Sequence, residues 1–149
     1  MERFPHMRRA LELARAAAEA GEVPVGAVLV GPDGAILAEA RNRMRERRDP
    51  TAHAEIDAIR TACAALGAER LLGTELHVTL EPCPMCAAAI SAARIARLHY
   101  GASDPKSGGV EQGPRVFSHP QAHHVPEIYD GILAAEASAL LREFFGARR

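Results

Sequence analysis

Two short stretches, His53-Ala54-Glu55 and Pro82-Cys83-Pro84-Met85-Cys86, bring together one imidazole, two thiols and one carboxylate. Zinc prefers nitrogen and thiolate donors in a tetrahedron, and three protein donors leave a fourth position for water. His53, Cys83 and Cys86 therefore read as ligands of one zinc ion, in a site open for chemistry. Cys83 and Cys86 are three residues apart, so on one helical turn both sulfurs share a face. Glu55, two residues from His53 and surplus to the ligand set, reads as the base that addresses whatever the metal holds.

Periodicity indicates the elements that must position these groups. Phe4, Met7, Leu11, Ala14 and Ala18 recur at helical spacing, predicting an amphipathic helix over residues 5–20 that Gly21 stops. Valine-rich residues 23–30 and residues 35–40 flank the turn cluster Gly31-Pro32-Asp33-Gly34, predicting an antiparallel hairpin. Asp49-Pro50-Thr51 supplies a helix start with Asp49 or Thr51 as cap, which places His53 in the first turn. Ile56, Ile59, Cys63 and Leu66 mark the apolar face of that helix, and Gly67 ends it. Cys63 lies about 15 Å down the axis from His53, at 1.5 Å per residue, and reads as core. Leu76, Val78 and Leu80 alternate with His77 and Thr79, a strand that delivers Glu81-Pro82 to a helix over 83–93; a short strand over 98–101 follows. Both metal motifs thus fall at helix N-termini, where free amides and the helix dipole favour thiolate. Residues 103–126, rich in glycine and proline, form a long irregular loop of a kind that is often functional. Asp130 is positioned to cap a closing helix that carries Ile132, Leu133, Leu140, Leu141, Phe144 and Phe145 and leads to Arg148 and Arg149.

At 149 residues the chain has the length of one domain, here an α/β domain with helices on both faces of a layered sheet. A net charge of -1 offers nucleic acid no global attraction, so any such binding must be local. The local source is the run Arg41, Arg43, Arg45, Arg47 and Arg48, which reads either as a solvated loop or as a phosphate contact beside the metal motif. Three cysteines, two of them at metal spacing, point to a reducing, cytoplasmic setting. No run approaches the roughly 18 apolar residues that would span a membrane.

His-x-Glu followed by Pro-Cys-x-x-Cys is the signature of the zinc-dependent nucleobase deaminases of the cytidine and deoxycytidylate deaminase superfamily. Along nearly its whole length the chain resembles the tRNA-editing adenosine deaminases of that superfamily. The match rests on Glu22-Val23-Pro24-Val25-Gly26-Ala27, Asn42, Asp49-Pro50-Thr51-Ala52-His53-Ala54-Glu55, Val78-Thr79-Leu80-Glu81-Pro82-Cys83 and Phe144-Phe145. The resemblance implies a three-layer α-β-α cytidine deaminase-like fold with a central mixed sheet. It also implies hydrolytic deamination of adenosine to inosine at the wobble position of a tRNA anticodon, in an arginine tRNA. One Zn2+ per subunit would activate water, Glu55 would shuttle the proton, and the enzyme would be a homodimer. By the same resemblance Asn42 contacts the target nucleotide, Asp104 and Lys106 border the pocket, and Phe145 with the terminal arginines lies by the tRNA groove. The chain departs from the pattern at His123-His124, at residues 109–114 and at Pro84.

Three rival readings stand beside this one. A deaminase of free bases or nucleosides would use the same zinc and glutamate. A structural zinc module would need a fourth ligand, and Cys63 is out of reach. A thioredoxin-like redox pair would use Cys83 and Cys86 but leave His-x-Glu without a task. His119, His123 and His124 do not read as a second metal site, since no cysteine or carboxylate cluster accompanies them.

Overall fold

A computed structural model describes residues 2–147 of the chain. In order, the elements are α1 (Pro5–Glu19), β1 (Gly26–Val30), β2 (Ile36–Arg41), α2 (Met44–Arg47), α3 (Ala54–Leu66), β3 (Glu75–Leu80), α4 (Pro84–Ala93), β4 (Arg97–Ala102), β5 (Glu127–Tyr129) and α5 (Ala134–Ala147). The strands form one mixed sheet in the order β2-β1-β3-β4-β5. β1 pairs antiparallel with β2 and β3, and β3, β4 and β5 run parallel. The helical connections from β2 to β3 and from β3 to β4 are the crossovers that parallel strands require.

Strand alternation sorts the core into two layers. Ala27 and Leu29 of β1 join Leu76, Val78, Leu98 and Tyr100 in a cluster with Ala54, Ala58 and Ala62 of α3 and Ala87 and Ile90 of α4. Val28 and Val30 face the other way, onto Met7 and Ala10 of α1, and Leu11 meets Ala137 of α5 nearby. The result is the three-layer α-β-α arrangement. Its helices approach closely because their inner faces are mostly alanine, and α1 lies so near β1 that a Cβ on Gly26 would sit 2.0 Å from the Ala10 carbonyl oxygen.

Several boundaries differ from those the pattern predicts. β1 begins at Gly26 rather than Val23, because residues 22–25 form a turn in which the Val25 N–H donates to the Val23 carbonyl. The arginine run contains the one-turn helix α2, and the Glu22 carboxylate accepts the backbone N–H groups of Arg45 and Glu46 at its start. Asp130 does not cap α5: that helix begins at Ala134, after Leu133 in a left-handed conformation (φ 54°), while the Ile132 N–H donates to the Tyr100 carbonyl. β5, only three residues long, gives no readable period and owes its place to pairing with β4. Among the described residues no helix is long and apolar enough to cross a membrane.

Candidate active site

Helix starts position all the expected metal donors. Cys83 is the N-cap of α4, Pro84 occupies the first helical position where a missing N–H is harmless, and Cys86 follows within the same turn. His53 is the N-cap of α3, one residue before the first turn in which it was expected. Asp49 and Thr51 are not the cap, because the Asp49 carboxylate is engaged by the N–H and hydroxyl of Thr51. The capping acceptor comes from outside the helix: Asn42 Oδ1 receives the Ala54 N–H at 2.9 Å, while Asn42 Nδ2 donates to the Val23 carbonyl at 3.1 Å. Sequence reasoning missed this structural role of Asn42, since its partners are 12 and 19 residues away.

His53 Nδ1 lies 3.7 Å from Cys83 Sγ and 3.5 Å from Cys86 Sγ. A tetrahedral ion with bonds of about 2.3 Å to sulfur and 2.05 Å to nitrogen separates such donors by about 3.6 Å. The three atoms all lie within 4.8 Å of one another, so this donor set fits zinc. Cys63, half-buried, packs against the core cluster and is not among these donors.

The electrostatics suit a metal centre with a nearby proton carrier. A hydrogen bond from Cys86 draws the Cys83 thiol down to about 4 against the effect of burial, and His53 adds to the pull. The same contact with Cys83, together with burial, pushes the Cys86 thiol up. His53 is raised, chiefly by its hydrogen bond to Cys83. Glu55, 4% exposed, is pushed up to about 7 by burial, against its own backbone N–H and the His53 charge. A carboxylate so placed can both accept and release a proton near neutrality.

The loop beside the site hangs from one residue that sequence reasoning treated only as part of a motif. Glu81 is 2% exposed, and its carboxylate accepts the backbone N–H groups of Asp104, Val110, Glu111 and Gln112 and the hydroxyl of Ser103. Burial alone would raise its pKa, but these donors hold it below the usual carboxylate range. Asp104 in turn accepts the N–H groups of Lys106 and Ser107 in a tight turn. Asp104, Lys106 and Phe145 line one cleft of about 500 Å³ with Val23, Leu80 and Leu141; none of the three metal donors lines it. Phe145 is exposed while Phe144 is buried. Arg148 and Arg149 lie outside the described residues.

The arginine run is partly neutralised. Arg41 and Arg43 reach Glu46, Arg47 grips both oxygens of Asp57, and Arg45 donates to the Gly21 carbonyl. His119 Nδ1 accepts the Gln121 N–H, His124 Nε2 meets the distant Ile95 carbonyl, and neither joins His123 in a metal-capable group among the described residues.

A mixed sheet between helical layers, with one imidazole and two thiols at helix starts and a buried glutamate beside them, defines a zinc deaminase of nucleobases. Residues 2–102 match the family described as the cytidine and deoxycytidylate deaminase zinc-binding region. The chain is 58% identical over 148 residues to a tRNA-specific adenosine deaminase of Agrobacterium fabrum, covering 99% of this chain and 97% of that one. It superposes with a TM-score of 0.91 on a solved tRNA:A34 deaminase studied for A-to-I editing at the wobble position, 58% identical, over 93% of this chain and 100% of that one. A guanine deaminase from Nitrosomonas europaea superposes at a TM-score of 0.84 with 28% identity, over 97% of this chain and 85% of that one. The chain belongs to the tRNA-specific adenosine deaminases within the cytidine and deoxycytidylate deaminase family.

Proposed function

We propose that this protein hydrolyses adenosine to inosine at the wobble position of a tRNA anticodon, exchanging the C6 amino group for oxygen and releasing ammonia. The observation that carries the chemistry is Glu55, a buried carboxylate at the start of α3 that the three-donor set does not need. His53, Cys83 and Cys86 hold the zinc, which when bound lowers the pKa of a water to near neutrality. Glu55 takes the proton that the attacking water gives up, delivers it to the purine ring nitrogen, and later serves the departing amine. One carboxylate serves both directions because its environment holds it near pH 7.

The substrate side rests on the relatives and on the surface around the site. A buried centre must receive an extruded base, and anticodon loops present unpaired bases. Asn42 keeps one N–H and one lone pair beyond those used in capping, enough to meet the base. Asp104 and Lys106 border the cleft that takes flanking nucleotide, with Phe145 as a stacking surface. The Arg41 and Arg43 pairs share the exposed Glu46 and such pairs contribute little, so phosphate can displace that acid, whereas Arg47 is held by the buried Asp57. The chain acts as one deaminase domain in a cytoplasmic homodimer, on an arginine tRNA.

Likeness to a guanine deaminase supports a second reading, action on a free base. Anticodon stem-loops with wobble adenine, tested beside free adenosine, guanine and cytidine, separate the two. Inosine in the loop alone, lost in Glu55→Ala, is the expected result. Ammonia from a free base with no inosine in the loop overturns the tRNA reading and leaves the zinc site standing. Light scattering that gives only a monomer mass overturns the dimer.

A further inference from the structure

Glu81 joins two ends of the loop that follows β4, and each end meets a different part of the site. Oε1 accepts the Asp104 N–H at 2.9 Å and the Ser103 hydroxyl at 3.2 Å. Oε2 accepts the N–H groups of Val110, Glu111 and Gln112 at 3.1, 2.9 and 3.0 Å. The Gln112 side chain closes the ring by donating to Ser103 Oγ at 3.2 Å. Between the two ends the backbone packs too closely for side chains: a Cβ on Gly108 would lie 2.5 Å from Glu81 Oε2, and one on Gly109 would lie 2.5 Å from the Pro84 nitrogen. The Gly109 N–H also donates to the Pro82 carbonyl at 2.8 Å, so this end of the loop lies directly on the turn that carries Cys83.

The other end is the wall of the cleft, which Ser103, Asp104, Lys106 and Ser107 line and Glu81 does not. Asp104 makes that wall a compact unit: its carboxylate accepts the Lys106 and Ser107 N–H groups, and its carbonyl accepts the Gly108 N–H. The unit hangs by the Asp104 N–H from Glu81, the residue that follows β3. One buried carboxylate therefore fixes the distance between the cleft wall and the metal-binding turn. A wall held in this way meets a ligand without the ordering cost of a loose loop.

We propose that Glu81 is a positioning residue for the RNA substrate: it holds the wall that meets the nucleotides flanking the target base at a set distance from the metal centre. The inference rests on the wobble-deamination reading, in which that cleft takes flanking nucleotide. Glu81 acts through Asp104 and the loop rather than on the reacting atoms, so its effect falls on substrate affinity. Glutamine at this position separates the two ends. Its single amide oxygen goes to the three N–H groups at Val110, Glu111 and Gln112, and its amide nitrogen, a donor, then faces the Asp104 N–H. The cleft wall is released while the loop stays on the Cys83 turn.

Steady-state deamination of an anticodon stem-loop with wobble adenine, by zinc-loaded protein, tests this. Glu81→Gln is expected to raise KM about tenfold, with kcat within about twofold of wild type and zinc content unchanged. Removing a negative charge beside a polyanion would by itself lower KM, so the expected rise has the opposite sign to the charge effect. Leu76→Val, which thins the core within β3, is the control: it is expected to lower the unfolding temperature and keep KM. A KM that is unchanged or lower in Glu81→Gln, an equal rise in Leu76→Val, or a loss of kcat together with zinc overturns the proposal. Should Glu81→Gln fail to fold, Glu81→Asp takes its place, keeping both acceptor oxygens but drawing them back by one methylene, with the same expected and overturning results. A wild type that leaves the stem-loop unedited overturns the tRNA reading and this proposal with it; editing with an unmoved KM overturns this proposal alone.

Discussion

Glu55 and Glu81 are both buried, at 4% and 2% exposure, and both sit within two residues of a metal donor, yet their surroundings drive them in opposite directions. Glu55 lies in a pocket where burial dominates, and it rises to about 7. Glu81 is encircled by four backbone N–H groups and one hydroxyl, and falls below the usual range despite burial. The difference lies in the number of donors around the carboxylate. A ring of donors fixes the charge and turns the residue into a structural anion; a pocket with few donors leaves the proton exchangeable. One side of the site is thereby built to hold a loop still, and the other to move a proton.

The sharpest way to break this contrast is to neutralise each residue in turn. Glu55→Gln is expected to lower deamination by about 10²–10⁴-fold, the usual contribution of a positioned acid–base group, with zinc content unchanged. The stability effect runs the other way. A carboxyl whose folded pKa lies above its unfolded value of 4.5 loses stability as pH rises from 4.5 to about 7. Metal-free Glu55→Gln should therefore unfold later than metal-free wild type at pH 8, by up to about 3 kcal/mol, and equally at pH 4. Loss of zinc along with activity would mean that Glu55 supports the donors rather than carrying protons.

Glu81→Ala is the next largest effect and has the opposite sign. It strands four backbone donors and a hydroxyl, which should lower the unfolding free energy by about 3 kcal/mol or more. Glu81→Gln retains one acceptor oxygen and should fall between. Because the Glu81 pKa is depressed, its contribution is complete above 4.5 and is lost as pH falls through the folded value. Chemical unfolding of metal-free wild type and Glu81→Gln should thus show a gap at pH 7 that narrows in acid. A gap independent of pH would mean that Glu81 acts through packing alone.

The two glutamates also differ in how readily sequence exposes them. Glu55 was readable because its chemistry is local: donor and base are two residues apart, and the two cysteines share one turn. The same locality made α1, α3 and α4 visible as periodic segments, and the alternation in β3 visible as a strand. Glu81 showed only as a motif letter, since its donors are 22 to 31 residues further along, in a loop whose path has no period. The pairing of His77 with His99 is hidden for the same reason, because register between parallel strands depends on the packing of the helix between them. Asp49 and Thr51 misled in a different way: they satisfy each other, and the α3 cap arrives from Asn42 across a turn.

Asn42 gives the smallest and most discriminating test. As a cap acceptor it should be worth about 1 kcal/mol, so Asn42→Ala lowers stability by that amount. Asn42→Asp keeps the oxygen that receives the Ala54 N–H but sets a charged oxygen against the Val23 carbonyl in a buried place, and should be no more stable than Asn42→Ala. If Asn42 only positions α3, the folded Asn42→Ala enzyme loses kcat/KM only in step with its stability. If the remaining N–H of Asn42 meets the target base, Asn42→Ala loses far more kcat/KM than a change of about 1 kcal/mol in stability accounts for, while zinc content stays unchanged. Stability and activity then part company in one neutral variant.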